Sequence, residues 1–173
     1  MKAAEFAGDL SDFLNRYEYQ PSLTGRLDNI GNSEFTQRTI DEIVLWKLNR
    51  YVAAGAELLS ELNALTKLSP GEHRRGEETL RLLLETHGAD LAMASTVLRF
   101  RNPAVFQIID RHAYRALCGK DYSLHAGSPA NRKVVAYFDY IDNLRELCKA
   151  KALHFQDIDR LLYIFDKETN GKL

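Results

Sequence analysis

Apolar residues recur at helical spacing along most of the chain. The first predicted helix, residues 2–17, carries them on one stripe: Ala3, Phe6, Ala7, Leu10, Phe13, Leu14 and Tyr17. Proline and glycine then punctuate residues 20–33, which we interpret as a loop, and Asn32 and Ser33 suit the N-cap of the helix that follows. Trp46 lies off the apolar stripe of this second helix. The stripe consists of Ile40, Ile43, Val44, Leu48, Tyr51 and Val52.

The middle of the chain shows the same period in shorter segments. Leucines resume the pattern after Gly55 and stop before a turn at residues 69–71. A further helix begins among the charged residues 72–78, ends on several leucines and has Gly88 just beyond its end. Residues 91–100 form the next predicted helix, which Asn102-Pro103 interrupts because proline disfavours helical backbone in the residue before it.

The last third of the chain predicts three more helices. Residues 105–109 are too short to assign as extended chain or as a helical turn. Asp110 is predicted to cap a helix that ends near Cys118. Ser128 and Pro129 suit the N-cap and the first position of a long helix, and a final helix follows. Strict alternation of apolar and polar residues is nearly absent, so the pattern predicts an all-α fold with many short helices.

Length and charge narrow the class of protein. A chain of 173 residues fits one domain, or one domain with a small subdomain. Its formal net charge of −1 means that any DNA contact requires a local basic patch. We find no secretory segment and no apolar run long enough to span a membrane, which predicts an intracellular, cytoplasmic protein. Cys118 and Cys148 are too few for a four-cysteine iron–sulfur cluster, and we expect no cofactor or metal.

A local basic patch does lie between residues 99 and 120. It holds a single acid, Asp110, and five basic residues: Arg99, Arg101, Arg111, Arg115 and Lys120. A solvated face that happens to be basic explains the same composition. Asp110 has an equally plain interpretation as a helix N-cap, and His112 as a packed or exposed histidine.

One combination of residues resembles a known family. Thr86 to Ala94, which contains Gly88, is similar to the hairpin motif L-P-G-[VI]-G-x-[K or other]-x-A, and Ile109 to His112 is similar to a later V-D-x-H. Ala92 stands at the lysine position, and Asp110 follows it by 18 residues, as in endonuclease III-like members. The stretch therefore resembles the helix-hairpin-helix DNA glycosylase superfamily. The segments AMASTVLRF and IIDRH resemble its archaeal 8-oxoguanine glycosylases.

The resemblance implies one helix-hairpin-helix domain over residues 1–173. The hairpin and aspartate segment cover residues 80–118, with flanking helices over 2–66 and 129–168. The implied partner is duplex DNA with a damaged base, which places the protein at the nucleoid. The residues that the resemblance places against DNA are Gly88, Asp90, Ala92, Arg99, Arg101 and Arg111.

Departures from the motif change the expected reaction. His87 stands at the proline, and Asp90 replaces the second hairpin glycine, so its carboxylate caps the second helix where a phosphate would bind. Ala92 replaces the lysine whose amine attacks the sugar in bifunctional members. Because alanine cannot form a Schiff base, we expect a monofunctional DNA glycosylase of base excision repair, a hydrolase without strand cleavage.

Such an enzyme flips the damaged nucleotide out of the duplex and hydrolyses the bond to its base. By the resemblance, Asp110 stabilises the positive charge that develops at C1′ and orients the attacking water, while His112 supports it. A base pocket requires aromatic walls, for which Trp46 and Tyr51 are the first choice, and Phe100 and Tyr114 are also available.

Two other classes stay open. A chain that kept the fold and lost the reaction, acting as a DNA-binding or protein-interaction module, fits Asp90, Ala92 and the neutral charge. DNA binding by such a module must weaken as salt rises, because phosphate contacts release counterions. A helical protein of unrelated type is favoured if Asp110 is buried against core residues without a cleft.

Overall fold

The computed structural model describes residues 18–31, 34–49 and 51–171. Within these ranges all regular secondary structure is helical, which confirms the predicted all-α class. The α-helices are α1 (Pro21–Asp28), α2 (Gln37–Lys47), α3 (Ala56–Ala64), α4 (Glu77–Glu85), α5 (Leu91–Arg101), α6 (Arg111–Cys118), α7 (Ala130–Lys151) and α8 (Ile158–Thr169). Short 3₁₀ helices occupy Leu65–Lys67, His73–Gly76 and Phe155–Asp157. The predicted helix over residues 2–17 and the N-caps Asn32 and Ser33 lie outside the described residues.

The chain divides into two compact units, Met1–Tyr51 and Val52–Leu173. The length of the chain predicts one domain, or one domain with a small subdomain. The hydrophobic pattern does not mark this boundary, because the apolar stripe of the second predicted helix continues across it to Val52.

In the first unit, α1 occupies part of the segment predicted to be a loop, and that prediction is wrong there. Pro21 stands at the start of α1, where its fixed φ and missing N–H suit a helix. Trp46 of α2 stabilises this short helix by donating its indole N–H to Thr24 Oγ1 at 2.9 Å. Helix α2 begins after Thr36, which exchanges hydroxyl and backbone hydrogen bonds with Thr39, each 3.3 Å long.

The predicted apolar stripe of α2 is not buried in the described structure. Ile40, Val44 and Leu48 are 44%, 49% and 62% exposed.

The second unit has a continuous apolar core. Leucines of α4 and the apolar face of α7 supply much of it. Its largest fully buried side chains include Leu80, Leu83, Leu91, Leu98, Phe106, Ile109, Tyr137, Phe138, Tyr140, Ile141 and Leu144. The apolar face of α7 is thus confirmed as core, whereas Leu161 and Phe165 of α8 are 42% and 48% exposed.

Residues 105–109, which the sequence left unassigned, run through this core without regular structure beyond the end of a turn over 103–105. Val105, Phe106 and Ile109 are fully buried. The Phe106 ring lies against Gly76, where an added Cβ would stand 2.6 Å from Phe106 Cζ. Glycine at position 76 therefore lets this segment enter the core.

Helix boundaries around this segment agree with the prediction. Helix α5 ends at Arg101, and Asp110 is the N-cap of α6. At α7 the prediction is one residue off, because Pro129 and not Ser128 is the N-cap. The Ser128 hydroxyl instead accepts the backbone N–H of His125 at 3.1 Å.

Candidate active site around Asp110

Helices α4 and α5 are joined by a tight corner, residues 86–90, which is the segment similar to the hairpin motif. Gly88 has a φ of +85°, a left-handed backbone that favours glycine. Ala89 is buried beneath the corner, and α5 starts directly after Asp90. The corner therefore contains the left-handed backbone conformation that glycine adopts readily.

The carboxylate of Asp90 occupies the start of α5. Its Oδ1 accepts the Leu91 N–H at 2.7 Å and lies 2.6 Å from the Lys133 ammonium. Lys133 is 7% exposed and also donates to the Ala126 carbonyl at 2.9 Å. Burial alone would raise the pKa of Asp90, but the hydrogen bonds from Lys133 and Leu91 together hold that pKa below its ordinary value. An internal anion thus satisfies this helix N-terminus, as the sequence predicted.

Ala92, which the sequence resemblance aligns with a lysine, lies exposed on α5. Its carbonyl accepts the hydroxyls of Ser95 at 2.9 Å and Thr96 at 2.8 Å. Ser95 is fully buried, and its Oγ accepts the Ile109 N–H at 3.2 Å. Helix α5 is thereby tied to the residue that precedes Asp110.

Further hydrogen bonds fix the same segment from α7 and α8. The carbonyls of Gln107 and Ile108 accept the hydroxyls of Tyr137 and Tyr140, each at 3.0 Å. The Ile108 N–H points to Asp159 Oδ2 at 3.4 Å. Because these contacts are buried or partly buried, breaking any one of them leaves an unsatisfied polar group, so the position of Asp110 is held firmly.

Asp110 accepts the Ala113 N–H at 2.8 Å through Oδ1, which confirms its predicted role as N-cap of α6. Burial raises the pKa of Asp110 above its ordinary value. The N–H groups of Ala113 and His112 oppose this rise, whereas the neighbouring Asp159 adds to it. A perturbed carboxyl group of this kind is typical of functional sites.

A cavity of about 320 Å³ opens beside Asp110. Its other lining residues are Ile108, Asp159, Arg160, Tyr163 and Ile164. Ligand cavities commonly measure about 300–1,000 Å³, so this one suits a single small ring system better than an extended cofactor. Asp110 is therefore not sealed against core residues, the arrangement that would have favoured an unrelated helical protein.

Asp159 is a second carboxylate in this cavity, and the sequence analysis did not identify it. It is 4% exposed, its Oδ1 accepts the Arg160 N–H at 2.7 Å, and its Oδ2 lies 3.6 Å from Arg99 Nε. Arg99 is itself buried and donates Nη2 to the Gln156 carbonyl at 3.1 Å. The structure thus places Arg99, a predicted phosphate contact, inside the fold with Asp159 as its ionic partner.

Tyr163 is the aromatic residue of the cavity. Its ring packs edge-to-face with His112 at a centroid distance of 5.1 Å. Asp159 and Tyr163 stand four residues apart on α8 and so share one face of that helix. The spacing could have placed both residues on a common helix face, but nothing in the local sequence links that face to Asp110.

The predicted pocket aromatics, Trp46 and Tyr51, belong to the first unit, whereas Asp110 belongs to the second. Trp46 packs edge-to-face on Tyr19 at 5.2 Å. The Tyr51 hydroxyl accepts a hydrogen bond from Arg26 at 3.0 Å. Both side chains thus have defined partners within the first unit.

His112 belongs to an ionic cluster between α6 and α8. Its Nδ1 lies 2.7 Å from Asp166 Oδ2, and Arg115 binds both oxygens of the same carboxylate at 2.9 and 2.8 Å. The Arg115 guanidinium holds the pKa of Asp166 far below its ordinary value. In this structure His112 helps to hold the helix that begins at Asp110, consistent with a supporting position.

Much of the predicted basic patch is engaged within the fold. Arg101 donates to the carbonyls of Leu62 at 2.9 Å and Asn63 at 3.3 Å, at the end of α3. Arg99 and Arg115 have the acidic partners described above, whereas Arg111 and Lys120 are exposed. The positive surface near Asp110 is therefore smaller than the composition indicated.

A larger groove, of about 1020 Å³, lies along α6 and α7 and does not include Asp110. Its carboxylates, Asp139 and Glu146, are exposed. We place the candidate site at the smaller cavity because, of these two cavities of the described structure, it is the one in which a lining carboxylate combines burial with a raised pKa.

Neither a metal-binding cluster nor a similar known protein identifies the ligand of this site. Among the described residues, no three histidine, cysteine, aspartate or glutamate side chains converge in a way that would bind a metal ion. No helix in the described ranges combines the length and apolarity needed to cross a bilayer. Comparison with protein-family models, curated proteins and solved structures gives no match.

Proposed function

We propose that this protein is a monofunctional DNA glycosylase that hydrolyses the bond between a damaged base and its deoxyribose with Asp110. The observation that carries the proposal is a mostly buried carboxyl group of raised pKa, at the start of α6, beside a cavity of single-ring dimensions. The resemblance over residues 86–112 supplies the reaction class. The hydrogen bonds that fix the backbone before Asp110 also support the proposal, because catalysis requires a carboxylate in a defined position.

The proposed reaction replaces the bond between C1′ and the base nitrogen with a bond between C1′ and the water oxygen, and it moves one proton from the water to the departing base. The glycosidic electron pair leaves with the base nitrogen, and C1′ gains positive charge. Ionised Asp110 stabilises that charge and accepts a proton from water as the water oxygen bonds to C1′. The proton passes to the departing base, so the products are a free base and an intact strand with an abasic site. Because the ionised form acts, excision should rise with pH through the raised pKa of Asp110.

The test is an excision assay on duplexes that carry oxidised, alkylated, deaminated or mismatched bases. The wild-type protein should release one class of base, and Asp110→Asn should lower the rate by about 10²–10⁴-fold. Asparagine is an equally good N-cap, so this variant should keep its helices. Asp139→Asn, which changes an exposed carboxylate in the other groove, is the matched control. Full activity in Asp110→Asn, or no release from any duplex by the wild type, would contradict the proposal.

A second prediction for the same protein follows from Ala92, whose exposed side chain is a methyl group. Without an amine at this position, borohydride should trap no covalent adduct between protein and DNA. The abasic product should stay unbroken until it is treated with alkali. A trapped adduct would mean that another amine attacks the sugar.

A non-catalytic DNA-binding or protein-interaction module is the second candidate. Its protein-interaction form is favoured by the Asp90–Lys133 pair, which occupies the N-terminus of α5, and by the engagement of Arg99 and Arg101 inside the fold, because both withdraw predicted phosphate contacts. A salt titration of DNA binding, run beside the excision assay, separates the two. Salt-sensitive binding without excision supports the module, and excision supports the enzyme.

A further inference from the structure

A further cavity, of about 410 Å³, lies in the second unit and shares no lining residue with the cavity beside Asp110. The turn before α4, the segment after α5, the last turns of α7 and the 3₁₀ helix before α8 contribute its walls. The lining residues are Pro70, Ala104, Arg145, Cys148, His154, Phe155, Gln156 and Asp157. Cavities that bind small molecules commonly measure about 300–1,000 Å³, so this one has room for a small ligand.

Arg145, on α7, is the lining residue that indicates which ligand. It is partly buried, and in the described part of the chain its guanidinium makes no hydrogen bond and has no carboxylate within 4.0 Å. The other buried or partly buried arginines of the described ranges all donate to a carboxylate or a backbone carbonyl. These are Arg81, Arg99, Arg101 and Arg115. Arg145 therefore keeps free donors at the cavity wall.

Contacts that use no oxygen acceptor position this guanidinium. Its Cζ lies over the Phe155 ring, 5.3 Å from the centroid. An added Cβ at Gly71 would stand 3.7 Å from Arg145 Nη2, so the guanidinium also lies beside this turn. The side chain is thus placed against the cavity walls while its N–H groups stay available to a bound acceptor.

The other titratable groups of the lining do not neutralise Arg145. Burial raises the pKa of the Cys148 thiol, although the charge of Arg145 opposes the rise, so the thiol is neutral at pH 7. His154 is exposed, and its ring nitrogens can donate a further hydrogen bond to an anion. Asp157 is the acid of the lining, but it is exposed and lies beyond ion-pair distance of Arg145, so water screens its charge.

The neighbouring acid on α7 is engaged by other groups. Asp142 precedes Arg145 by three residues, and its carboxylate binds His73 at 2.8 Å and also pairs with Arg74. Burial lowers the pKa of His73, and the positive charge of Arg145 adds to this lowering. The charge of Arg145 is thus felt within the fold without a close anion to offset it.

We propose that this cavity binds a small organic carboxylate, which Arg145 holds by paired N–H···O bonds. The guanidinium fork matches the two oxygens of a carboxylate. Pro70, Ala104 and Phe155 offer apolar surface to the rest of the molecule. A phosphate dianion gains less from these walls and brings more charge towards Asp157, so the walls favour a monoanion. The site does not depend on the proposed glycosylase reaction.

Titration with benzoate and with benzamide, its neutral analogue of the same shape, tests the site. By NMR or calorimetry the wild-type protein should bind benzoate with a dissociation constant of about 1 mM or below, and about tenfold more tightly than benzamide. Arg145→Gln should weaken benzoate binding by about 10–100-fold, because it removes a charged hydrogen-bond donor. Arg132→Gln, which removes an exposed arginine of the same helix, is the matched control and should keep the affinity. Asp157→Asn should keep it or raise it by up to about fivefold.

Equal affinity for benzoate and benzamide, no binding of benzoate at millimolar concentration, or equal losses in the two arginine variants would overturn the inference. Tighter binding of inorganic phosphate than of benzoate would overturn the carboxylate class. Weaker binding of benzoate by Asp157→Asn would contradict the charges assigned to the walls. Circular dichroism checks that each variant keeps its helices. If Arg145→Gln does not fold, Arg145→Lys replaces it: this variant keeps the charge but lacks the fork, and an unchanged affinity for benzoate would overturn the paired contact.

Discussion

Helices α5 and α6 both begin at an aspartate, yet the two aspartates have opposite surroundings. Asp90 is about half exposed, pairs with the Lys133 ammonium and has a lowered pKa. Asp110 is more buried, faces a second carboxylate and has a raised pKa. The same local capping chemistry thus produces a stabilising ion pair at one helix start and a perturbed acid beside a cavity at the other.

The backbone that precedes Asp110 is also held by more of the fold than the backbone that precedes Asp90. Asp90 follows a corner built on Gly88, whereas Asp110 follows a segment that α5, α7 and α8 all bind. A cap needs only its own helix, but a reacting carboxylate also needs a fixed position and an open side. The comparison therefore assigns the proposed chemistry to Asp110 and a structural role to Asp90.

Removing the buried anchor of the Asp110 segment should have the largest effect on stability. Phe106→Ala should lower the free energy of unfolding by about 3–5 kcal/mol, because it leaves a cavity against Gly76 in the core. Urea denaturation measures the change. Phe100→Ala, which removes a ring that is 68% exposed, should cost less than about 1 kcal/mol. Similar losses in both variants would contradict the buried position of this segment.

Ser95→Ala should have an intermediate effect and should act on Asp110. It leaves the buried Ile109 N–H without an acceptor, at a cost of about 1–3 kcal/mol, and lowers excision by loosening the residue before Asp110. Thr96→Ala is the matched control, because Thr96 makes the same bond to the Ala92 carbonyl without reaching Ile109. Equal losses of activity in the two variants would break the proposed link.

Asp90→Asn should have the smallest effect, about 1 kcal/mol or less in urea, because asparagine keeps the cap and the ion pair is partly exposed. The lowered pKa gives this contribution a pH dependence. It is present above the pKa of an unfolded aspartate and is lost as pH falls through the lower folded value. The wild type and the variant should therefore converge in acid. A difference that grows in acid would contradict the pairing with Lys133.

The sequence predicted those features of the two helix starts that depend on neighbouring residues. The capping aspartates at 90 and 110 and the helix end before Pro103 depend on neighbouring residues, and the structure confirms them. The partners of these residues come from distant helices. Lys133 beside Asp90 and Asp159 beside Asp110 leave no mark on the local pattern, and neither does the burial of Arg99.

The most direct test of the account is a carboxyl titration of both aspartates by ¹³C NMR. We expect Asp110 to titrate above the ordinary aspartate value, about 3.9, and Asp90 to titrate below it. Spectra of Asp110→Asn and Asp90→Asn assign the two signals. An Asp110 pKa at or below that of Asp90 would contradict the central claim and leave Asp110 as a helix cap alone.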